Sequence, residues 1–197
     1  EDLGPQNLGR HRLGIAHVFS NKAKGMWHEL QFDNPSVSVR ALEVDARKAH
    51  LGSIDLLIDA TGEEALGHWL AWRYASEVPM LSIWIEGPGV AVRALIKKHV
   101  SGACYRCLSE HQRAGGLLSV KGDIPKLFAG HGCEGLYVPF PATVSLQAAA
   151  LGAEMAMAWV NGAETPSLRT RVTDTSYELD TPDCDVLKAE GCPICSI

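Results

Sequence analysis

Apolar and polar positions alternate in some segments of the first half of the chain and merge into apolar runs in others. The runs at 54–61 and 80–87 have few polar positions, which is typical of strands that are covered on both faces. The segment 36–44 alternates and is rich in Val, so its pattern predicts another strand. A further run at 90–96 is expected to pair beside 80–87.

Predicted helices separate these strands. The pattern predicts helices at about 22–31, near 45–51 and at about 63–76, and a long Ala-rich helix at about 142–161. Alternation of strands and helices indicates an α/β fold with a mostly parallel sheet and flanking helices. The segment 167–179 alternates again, which predicts an antiparallel strand or hairpin near the C-terminal end of the domain.

Residues 108–141 differ from the rest because they are rich in Gly and His and show no clear periodicity, although 117–124 could form a short strand. A loop of this length inside a compact domain is usually functional or disordered. We therefore expect one domain over 1–197. Its α/β part would cover 1–107, followed by a functional loop and then by a long helix, antiparallel strands and a cysteine-containing tail at 142–197.

Composition and charge argue against several classes of protein. The chain has 197 residues, a net charge of -5 and a pI of about 5.9, so no basic excess indicates binding to nucleic acid or to anionic membranes. The apolar stretch 144–160 contains Ser145, Gln147 and Glu154, which predicts a buried helix and not a membrane span. No secretory signal is visible, and we expect a cytoplasmic location.

Two Cys-x-x-Cys pairs are the strongest chemical signal in the sequence. Cys104 and Cys107 form the first pair, and Cys192 and Cys195 form the second. Four thiolates are the ligand set of a closed, tetrahedral structural zinc site. The alternatives are two unrelated pairs or one redox motif, but a second pair has no role in a thioredoxin-like motif. We therefore expect Zn²⁺ to connect a late segment of the chain to an earlier one, without an open position for catalysis.

Three further residues are candidates for reactive chemistry. Cys133 lies in the irregular segment, two residues from His131, and could be either an accessible nucleophile or a buried inert thiol. Arg10 and Lys22 could bind phosphate, because Arg presents a planar fork of donors and Lys22 lies at a predicted helix start. Their spacing alone favours solvent-exposed side chains over phosphate binding.

Five ordered motifs resemble the MoeB/ThiF family, which includes the adenylating domains of ubiquitin-activating enzymes. They are NLGRHRLG…VFSNKAK, DLLIDATGE, ACYRCL, GCEGLYVPFPATVSLQAAALGAEM and GCPICS. The resemblance implies a Rossmann-like nucleotide-binding fold, usually homodimeric, with structural zinc on the two cysteine pairs. It also implies ATP and Mg²⁺ as cofactors, and adenylation of the C-terminal glycine of a ubiquitin-like or sulfur-carrier protein.

The resemblance assigns roles to individual residues. Asn7 and Arg10 match the family's Asn-Leu-x-Arg nucleotide motif, and Lys22 matches its phosphate-binding lysine. Cations at these positions would neutralise the charge that develops on the phosphates during adenylation. Cys133 matches the position at which many members carry a cysteine that accepts the carrier protein as a thioester.

The sequence departs from the family pattern at several positions. His11 stands where many members have Gln, and this Arg-His pair resembles bacterial activating enzymes, some of which are fused to a conjugating-enzyme domain in antiphage operons. Gly62 stands where the family often has a metal-linked Asp, so Asp59 and Glu63 are expected to bind the metal and nucleotide instead. The Gly-rich loop and the acidic ribose-binding residue are expected to precede residue 1, which would leave the first β-α-β unit outside this chain.

The resemblance leaves three functions open. The first is activation of a ubiquitin-like protein, with thioester transfer to Cys133. The second is a sulfur-carrier adenylyltransferase of the kind found in molybdopterin or thiamine biosynthesis. The third is a non-catalytic, dimeric interaction module with the same fold.

Overall fold

A computed structural model describes residues 1–126 and 138–195, except for the side chains of Gln6 and Arg10. Cys133 lies outside the described residues. The chain divides into two compact units, Glu1–Gly52 and Ser53–Ile197.

The first unit is built around one α-helix. Helix α1, Lys22–Asp33, confirms the helix expected at about 22–31, and its N-cap Asn21 accepts a hydrogen bond from the N–H of Ala23 at 2.9 Å. Leu3 and Leu13 are almost fully buried in this unit. Short 3₁₀ helices complete it, at Pro5–Arg10, Ile15–His17 and Ala46–Lys48. The last of these lies within the segment 45–51, where a short helix was expected, and it has the 3₁₀ form.

The strand expected at 36–44 is wrong. Within the described residues, this segment has no ladder partner and most of its side chains are exposed. It is held by side chains of α1, since the indole N–H of Trp27 donates to the carbonyl of Val39 at 3.1 Å and Gln31 donates to the carbonyl of Val37. Alternation predicts an extended backbone, but a strand also needs a neighbour with which to exchange hydrogen bonds.

The second unit contains a four-stranded sheet in the order β1-β2-β3-β4. Strands β1 and β2 are parallel, whereas β3 is antiparallel to both β2 and β4. The α/β class is confirmed, as are the antiparallel strands expected toward the C-terminal end. Among the described residues the sheet is mixed and not mostly parallel, because two of its three strand pairings are antiparallel. The strands are β1, Leu57–Asp59; β2, Met80–Glu86; β3, Ala91–Lys97; and β4, Leu168–Val172.

Helices cover both faces of this sheet. Helix α4, Ala142–Val160, packs on one face, where Leu151 and Met155 join Leu81, Val92 and other apolar residues in the main core. Side chains of β2 that point the other way meet the start of α3, Tyr105–Arg113, and α2, Glu64–Tyr74, contacts both β2 and α3. Helices α2 and α4 confirm the helices expected at about 63–76 and 142–161.

Helix α3 is missing from the sequence-based expectation, because its last six residues lie in the segment 108–141 that was expected to be irregular. It has few apolar residues, but Cys107 and Leu108 are buried on the side that faces the rest of the unit. The short strand expected at 117–124 is reduced to one isolated bridge between Val120 and Leu179. Within residues 1–126 and 138–195, no helix has the length and apolar character that a bilayer crossing requires.

Candidate functional site

The four cysteines of the two Cys-x-x-Cys pairs meet in one cluster. The sulfur of Cys104 lies 3.9 Å from that of Cys107 and 3.8 Å from that of Cys192, and the sulfurs of Cys107 and Cys195 are 3.7 Å apart. All four lie within 4.8 Å of one another. Cys195 is half-buried, and the other three are buried. The structure therefore brings together every cysteine that the sequence assigned to one site.

These distances fit a tetrahedral metal site. A bond of about 2.3 Å between zinc and each sulfur places neighbouring sulfurs of a tetrahedron roughly 3.8 Å apart. A disulfide would need a separation of about 2.05 Å, and all four thiols are free. The cluster therefore has the donor set, number and spacing of a closed structural site for a thiophilic ion such as Zn²⁺.

Two elements hold the sulfurs in place. Cys104 is the N-cap residue of α3, and Cys107 lies in the first turn of that helix. The tail docks against α3, because the ring Nε2 of His111 hydrogen-bonds to the carbonyl of Leu187 at 2.9 Å. A turn then brings Cys192 into place, with its N–H donating to the carbonyl of Ala189 at 3.1 Å.

The protonation of the cluster depends on its surroundings. Burial raises the pKa of the Cys104 thiol far above its ordinary value, and burial also raises the pKa of the Cys107 thiol. Burial acts in the same direction on Cys192, but the backbone N–H groups of Ile194 and Cys195 help to lower its pKa overall. Binding of a divalent ion by all four sulfurs would require these thiols to release their protons.

A second group of candidates lies at the carboxyl end of β1. Asp59 is buried there, and its Oδ1 accepts hydrogen bonds from the N–H of Thr61 at 3.0 Å and from its Oγ1 at 2.7 Å. Thr61 Oγ1 in turn accepts a hydrogen bond from the N–H of Glu63, the N-cap residue of α2, at 3.3 Å. Asp59, Gly62 and Glu63 line one narrow cleft, so the structure brings the two predicted carboxylates to the same edge of the sheet.

Gly62 has the left-handed backbone angle φ +67°, and a Cβ atom added there would meet nothing within 4 Å. Asp tolerates this conformation better than most residues do, so the position has room for the Asp that the family often carries. The absence of that side chain leaves Asp59 and Glu63 as the carboxylates that line this cleft.

The predicted nucleotide residues Asn7, Arg10 and Lys22 lie in the first unit. Asn7 is buried, and its Oδ1 accepts a hydrogen bond from the N–H of Gly4 at 3.1 Å, which supports the start of the first 3₁₀ helix. The backbone of Arg10 ends that helix. Lys22 is the first residue of α1, and its Nζ donates to Glu1 Oε1 at 2.7 Å. Its ammonium group would have to leave Glu1 in order to bind a phosphate.

Two aromatic rings form a wall of the cleft that Asp59 and Glu63 line. Trp84 and Tyr105 meet edge to face, with ring centroids 5.6 Å apart and an interplanar angle of 86°. The indole N–H of Trp84 donates to Glu86 Oε1 at 2.8 Å. Burial, followed by the charges of Glu64 and other carboxylates, raises the pKa of Tyr105 to about 12, so its hydroxyl stays protonated at neutral pH.

Arg93 is a fully buried guanidinium next to this wall, and it was not among the site residues predicted from the sequence. It donates from Nε to Thr170 Oγ1 at 3.1 Å and from Nη2 to the carbonyl of Leu117 at 2.9 Å. The third nitrogen, Nη1, lies 3.6 Å from Glu86 Oε1. This atom alone of the guanidinium has no hydrogen-bond acceptor among the described residues. A single charged residue inside the apolar run 90–96 was the available signal, because a buried charge needs nearby partners.

Almost the whole of this chain is similar to part of a curated bacterial protein. It is 58% identical, over 98% of its residues, to the ATP-dependent ubiquitin transferase-like protein Cap2 of Pseudomonas aeruginosa. The chain spans 36% of the length of that relative. No protein-family model matches the chain. The similarity to a ubiquitin transferase-like protein agrees with the resemblance that the five motifs predicted.

Solved structures of MccB have a similar fold. Escherichia coli MccB with MccA-N7isoASN superposes with a TM-score of 0.72 at 16% identity, over 100% of this chain and 58% of that chain. Its ATP complex gives a TM-score of 0.68 at 15% identity, over 99% of this chain and 56% of that chain. The microcin C7 biosynthetic enzyme MccB with N-formylated MccA gives a TM-score of 0.68 at 17% identity, over 99% of this chain and 58% of that chain. At these identities the similarity shows the fold.

Proposed function

We propose, because the chain is homologous to a segment of the ATP-dependent ubiquitin transferase-like protein Cap2, that it belongs to an enzyme that adenylates a carrier protein. The reaction would join AMP to the C-terminal glycine of a ubiquitin-like protein or similar carrier. The observation that carries this proposal is the 58% identity over 98% of the chain. The MccB fold supports it, since MccB structures exist with ATP and with MccA.

In the proposed reaction, a carboxylate oxygen of the carrier attacks the α-phosphate of ATP, and pyrophosphate leaves. Negative charge builds on the phosphates as the bond between the α-phosphate and the departing pyrophosphate breaks, so fixed cations accelerate the step. Arg10 and Lys22 would supply these cations, and Asn7 would help to bind the nucleotide. Asp59 and Glu63 would hold Mg²⁺ through carboxylate oxygens, the ligands that this ion prefers. The shared cleft of Asp59 and Glu63 supports their joint role.

Cys133 would act after adenylation. Its thiolate would attack the carbonyl carbon of the acyl adenylate, a thioester bond would form, and AMP would leave with the electron pair of the broken bond. The alternative within this class is a sulfur-carrier adenylyltransferase, in which no carrier thioester on Cys133 accumulates. Cys133 lies outside the described residues, so its role rests on its place in the sequence.

The four-cysteine cluster would hold structural Zn²⁺. The sulfur separations of 3.7–3.9 Å support this ion over a disulfide framework. Bound zinc would supply a crosslink between α3 and the tail, and Cys104, Cys107, Cys192 and Cys195 would fill all four of its positions. The cysteines are free thiols, as is usual for proteins of the reducing cytoplasm. We therefore propose a cytoplasmic location.

The proposed partners are the C-terminal tail of the carrier, a second copy of the protein and a conjugating-enzyme domain. The homology to a ubiquitin transferase-like protein supports such a system. One observation favours a non-catalytic interaction module instead, because Gly62 removes a carboxylate from the metal edge.

ATP–pyrophosphate exchange by the full-length protein tests the proposal. Synthetic decapeptide pools with random upstream residues and a fixed C-terminal Gly would stand in for the carrier. We expect labelled pyrophosphate to enter ATP only when protein, Mg²⁺ and peptide are all present. Binding of ATP without peptide-dependent exchange would contradict the proposed adenylation activity and favour the non-catalytic interaction module.

A further inference from the structure

Lys97, the last residue of β3, is a buried lysine. Only 4% of its surface is exposed, although lysine is one of the residue types that are least often buried. Among the described residues Lys97 has no carboxylate partner, whereas the next residue, Lys98, lies 3.9 Å from Glu164. A buried charge without a counter-charge is costly, so the position of this ammonium group requires an explanation.

The end of α2 accounts for part of this burial. The Nζ of Lys97 donates a hydrogen bond to the carbonyl of Ala75, the C-cap residue of α2. The last carbonyl groups of a helix carry partial negative charge and favour a nearby cation. An ammonium group has three N–H donors, however, and Ala75 is its only hydrogen-bond acceptor within the described part of the chain. One neutral donor would satisfy this carbonyl equally well, so the full charge points to a second, negatively charged neighbour.

The four-cysteine cluster lies next to Lys97. One small cavity between β3 and the start of α3 is lined by Lys97, Cys104, Met80, Ser82, Leu95 and Tyr105. Its volume is about 10 Å³, which is room for roughly one water molecule. Only this narrow space therefore separates the lysine from Cys104, whose own surface is 1% exposed.

The stem of Lys97 also packs against the backbone that leads into the first cysteine pair. A Cβ atom on Gly102 would lie 3.5 Å from Lys97 Cγ. The carbonyl oxygen of Gly102 lies 3.8 Å from the sulfur of Cys195. Lys97 is thus next to the cluster in two places, at Cys104 of the first pair and at the backbone that contacts Cys195 of the second.

A metal in this cluster would make the site negatively charged. Four thiolates around a divalent ion leave a net charge of about −2. Such a charge is costly inside a fold unless nearby donors or cations compensate it, and outer-shell partners of this kind tune metal affinity. Attraction between an ammonium group and thiolates is strong where water is excluded. Each buried charge would therefore offset the cost of burying the other.

We infer that Lys97 is the cation that compensates the negative charge of the metal-loaded four-cysteine cluster and slows release of the metal. This inference rests on the proposed structural zinc, and it adds a residue outside the two Cys-x-x-Cys pairs to that site. Lys97 would act on retention of the metal, while the binding of nucleotide and carrier would not depend on its charge.

Release of zinc from the full-length protein to a chromogenic chelator tests the inference. Lys97→Met keeps an unbranched stem and removes the charge. We expect this variant to release zinc roughly tenfold faster than the wild type or more, as is typical when a metal site loses an outer-shell partner. Lys98→Met is the matched control, because it makes the same change at the adjacent residue, whose Nζ bonds to the carbonyl of Thr165. It should release zinc within about twofold of the wild-type rate.

Thermal unfolding separates this role from mere support of α2. Lys97→Met is compared in the wild type and in Cys192→Ser, which cannot close the cluster. Support of α2 alone predicts the same fall in melting temperature in both backgrounds. We expect the larger fall in the wild-type background, because only there does the ammonium group lie beside a charged site. Lys97→Gln, which keeps an N–H donor for Ala75, serves if Lys97→Met fails to fold.

Two results would overturn the inference and leave the proposed zinc site standing. One is release of zinc at the wild-type rate by folded Lys97→Met or Lys97→Gln. The other is an equal loss of stability in the two backgrounds. A wild-type protein that holds no zinc after purification would instead contradict the proposed metal site, and the inference would fail with it.

Discussion

Cys104 and Cys192 place their sulfur atoms 3.8 Å apart, although 88 residues separate them in the sequence. Backbone hydrogen bonds alone do not produce this proximity, because the tail has little regular structure near Cys192. In the chain-entropy account, a crosslink that closes a loop of this length stabilises a protein by roughly 4 to 5 kcal/mol. A metal bound by both residues would act in the same way.

Replacement of one ligand should therefore release the metal and destabilise the fold. We expect Cys192→Ser to lower the zinc content of the full-length protein from about one ion per chain to less than half an ion. The free energy of unfolding should fall by about 2 to 5 kcal/mol. Elemental analysis and urea unfolding measure the two effects. Cys184→Ser is the control, because Cys184 lies outside the cluster; equal zinc loss in both variants would contradict the assignment.

Lys22→Met should impair use of ATP without unfolding the protein. The ammonium group pairs with Glu1, whose side chain is 60% exposed, and such surface pairs contribute at most about 1 kcal/mol. Loss of a phosphate-binding cation should raise the KM for ATP by about tenfold or more in pyrophosphate exchange. Lys24→Met, two residues further along α1, should behave as the wild type. Equal effects of the two substitutions would remove the special role of Lys22.

Cys133→Ala should separate the two proposed chemical steps. Adenylation does not need a thiol, so peptide-dependent pyrophosphate exchange should continue at a rate within about threefold of the wild type. A thioester with the carrier, detected as a thiol-sensitive adduct on a non-reducing gel, should disappear. Cys184→Ala should retain the adduct. Persistence of the adduct in Cys133→Ala would show that another residue accepts the carrier.

Gly152 of α4 should be intolerant of a side chain. A Cβ atom there would lie 2.3 Å from Ile83 Cδ1 on β2, so Gly152→Ala forces either that side chain or the helix to move. We expect a loss of stability of about 1 to 3 kcal/mol from overpacking, reduced by the better helix propensity of Ala. Ile83→Val removes the clashing atom, so the double variant should recover part of the loss. A purely additive double-mutant cycle would refute this coupling.

The contact between α4 and β4 should depend on pH. Glu154 accepts hydrogen bonds from Arg171 and, at 3.4 Å, from Arg169. The hydrogen bond from Arg171 lowers the pKa of Glu154 below its ordinary value of 4.5. Because the folded state favours the ionised carboxylate, its stabilisation is complete above about pH 4.5 and is lost as the pH falls through the lowered pKa.

Glu154→Gln should therefore lower the melting temperature slightly at pH 7 and have no effect at a pH below the lowered pKa. The melting temperatures of Glu154→Gln and the wild type are compared at each pH, so effects of pH that are common to both proteins cancel in the difference. Glu164→Gln is the control, since its side chain is fully exposed and 3.9 Å from Lys98. A difference between Glu154→Gln and the wild type that persists unchanged at acid pH would show that the ion pair is not its cause.

Hydrophobic periodicity predicted most of the second unit correctly. Strong local patterns mark the segments that form β2, β3 and α4. The apolar positions of these three elements pack together in the main core. The segment 36–44 carries a strand pattern as well, but pairing depends on a partner that local sequence does not specify. Helix α3 shows the opposite case, since its burial rests on only a few residues around Cys107.

The candidate site was predictable where residue type defines the chemistry. Cysteine spacing identified the cluster, and the resemblance to the MoeB/ThiF family identified Asp59. Trp84 and Arg93 were not found, because an aromatic or a charged residue in a strand pattern has no fixed partner in the sequence. Their relationship arises from the antiparallel register of β2 and β3, which pairs Trp84 directly with Arg93. Strand register follows from the connecting turn and from the buried faces of both strands together, so the pattern of one strand alone does not give it.

The wide sequence separation within the sulfur cluster has a consequence for biosynthesis. A ribosome makes Cys104 and Cys107 long before Cys192 and Cys195, so a nascent chain carries half a metal site for 88 residues of synthesis. A truncated product that lacks the second pair could not close the cluster, and the thiols of Cys104 and Cys107, which are buried in the complete fold, would lose the cover of the second pair. Capture of a metal by all four sulfurs would therefore have to wait until synthesis has passed residue 195.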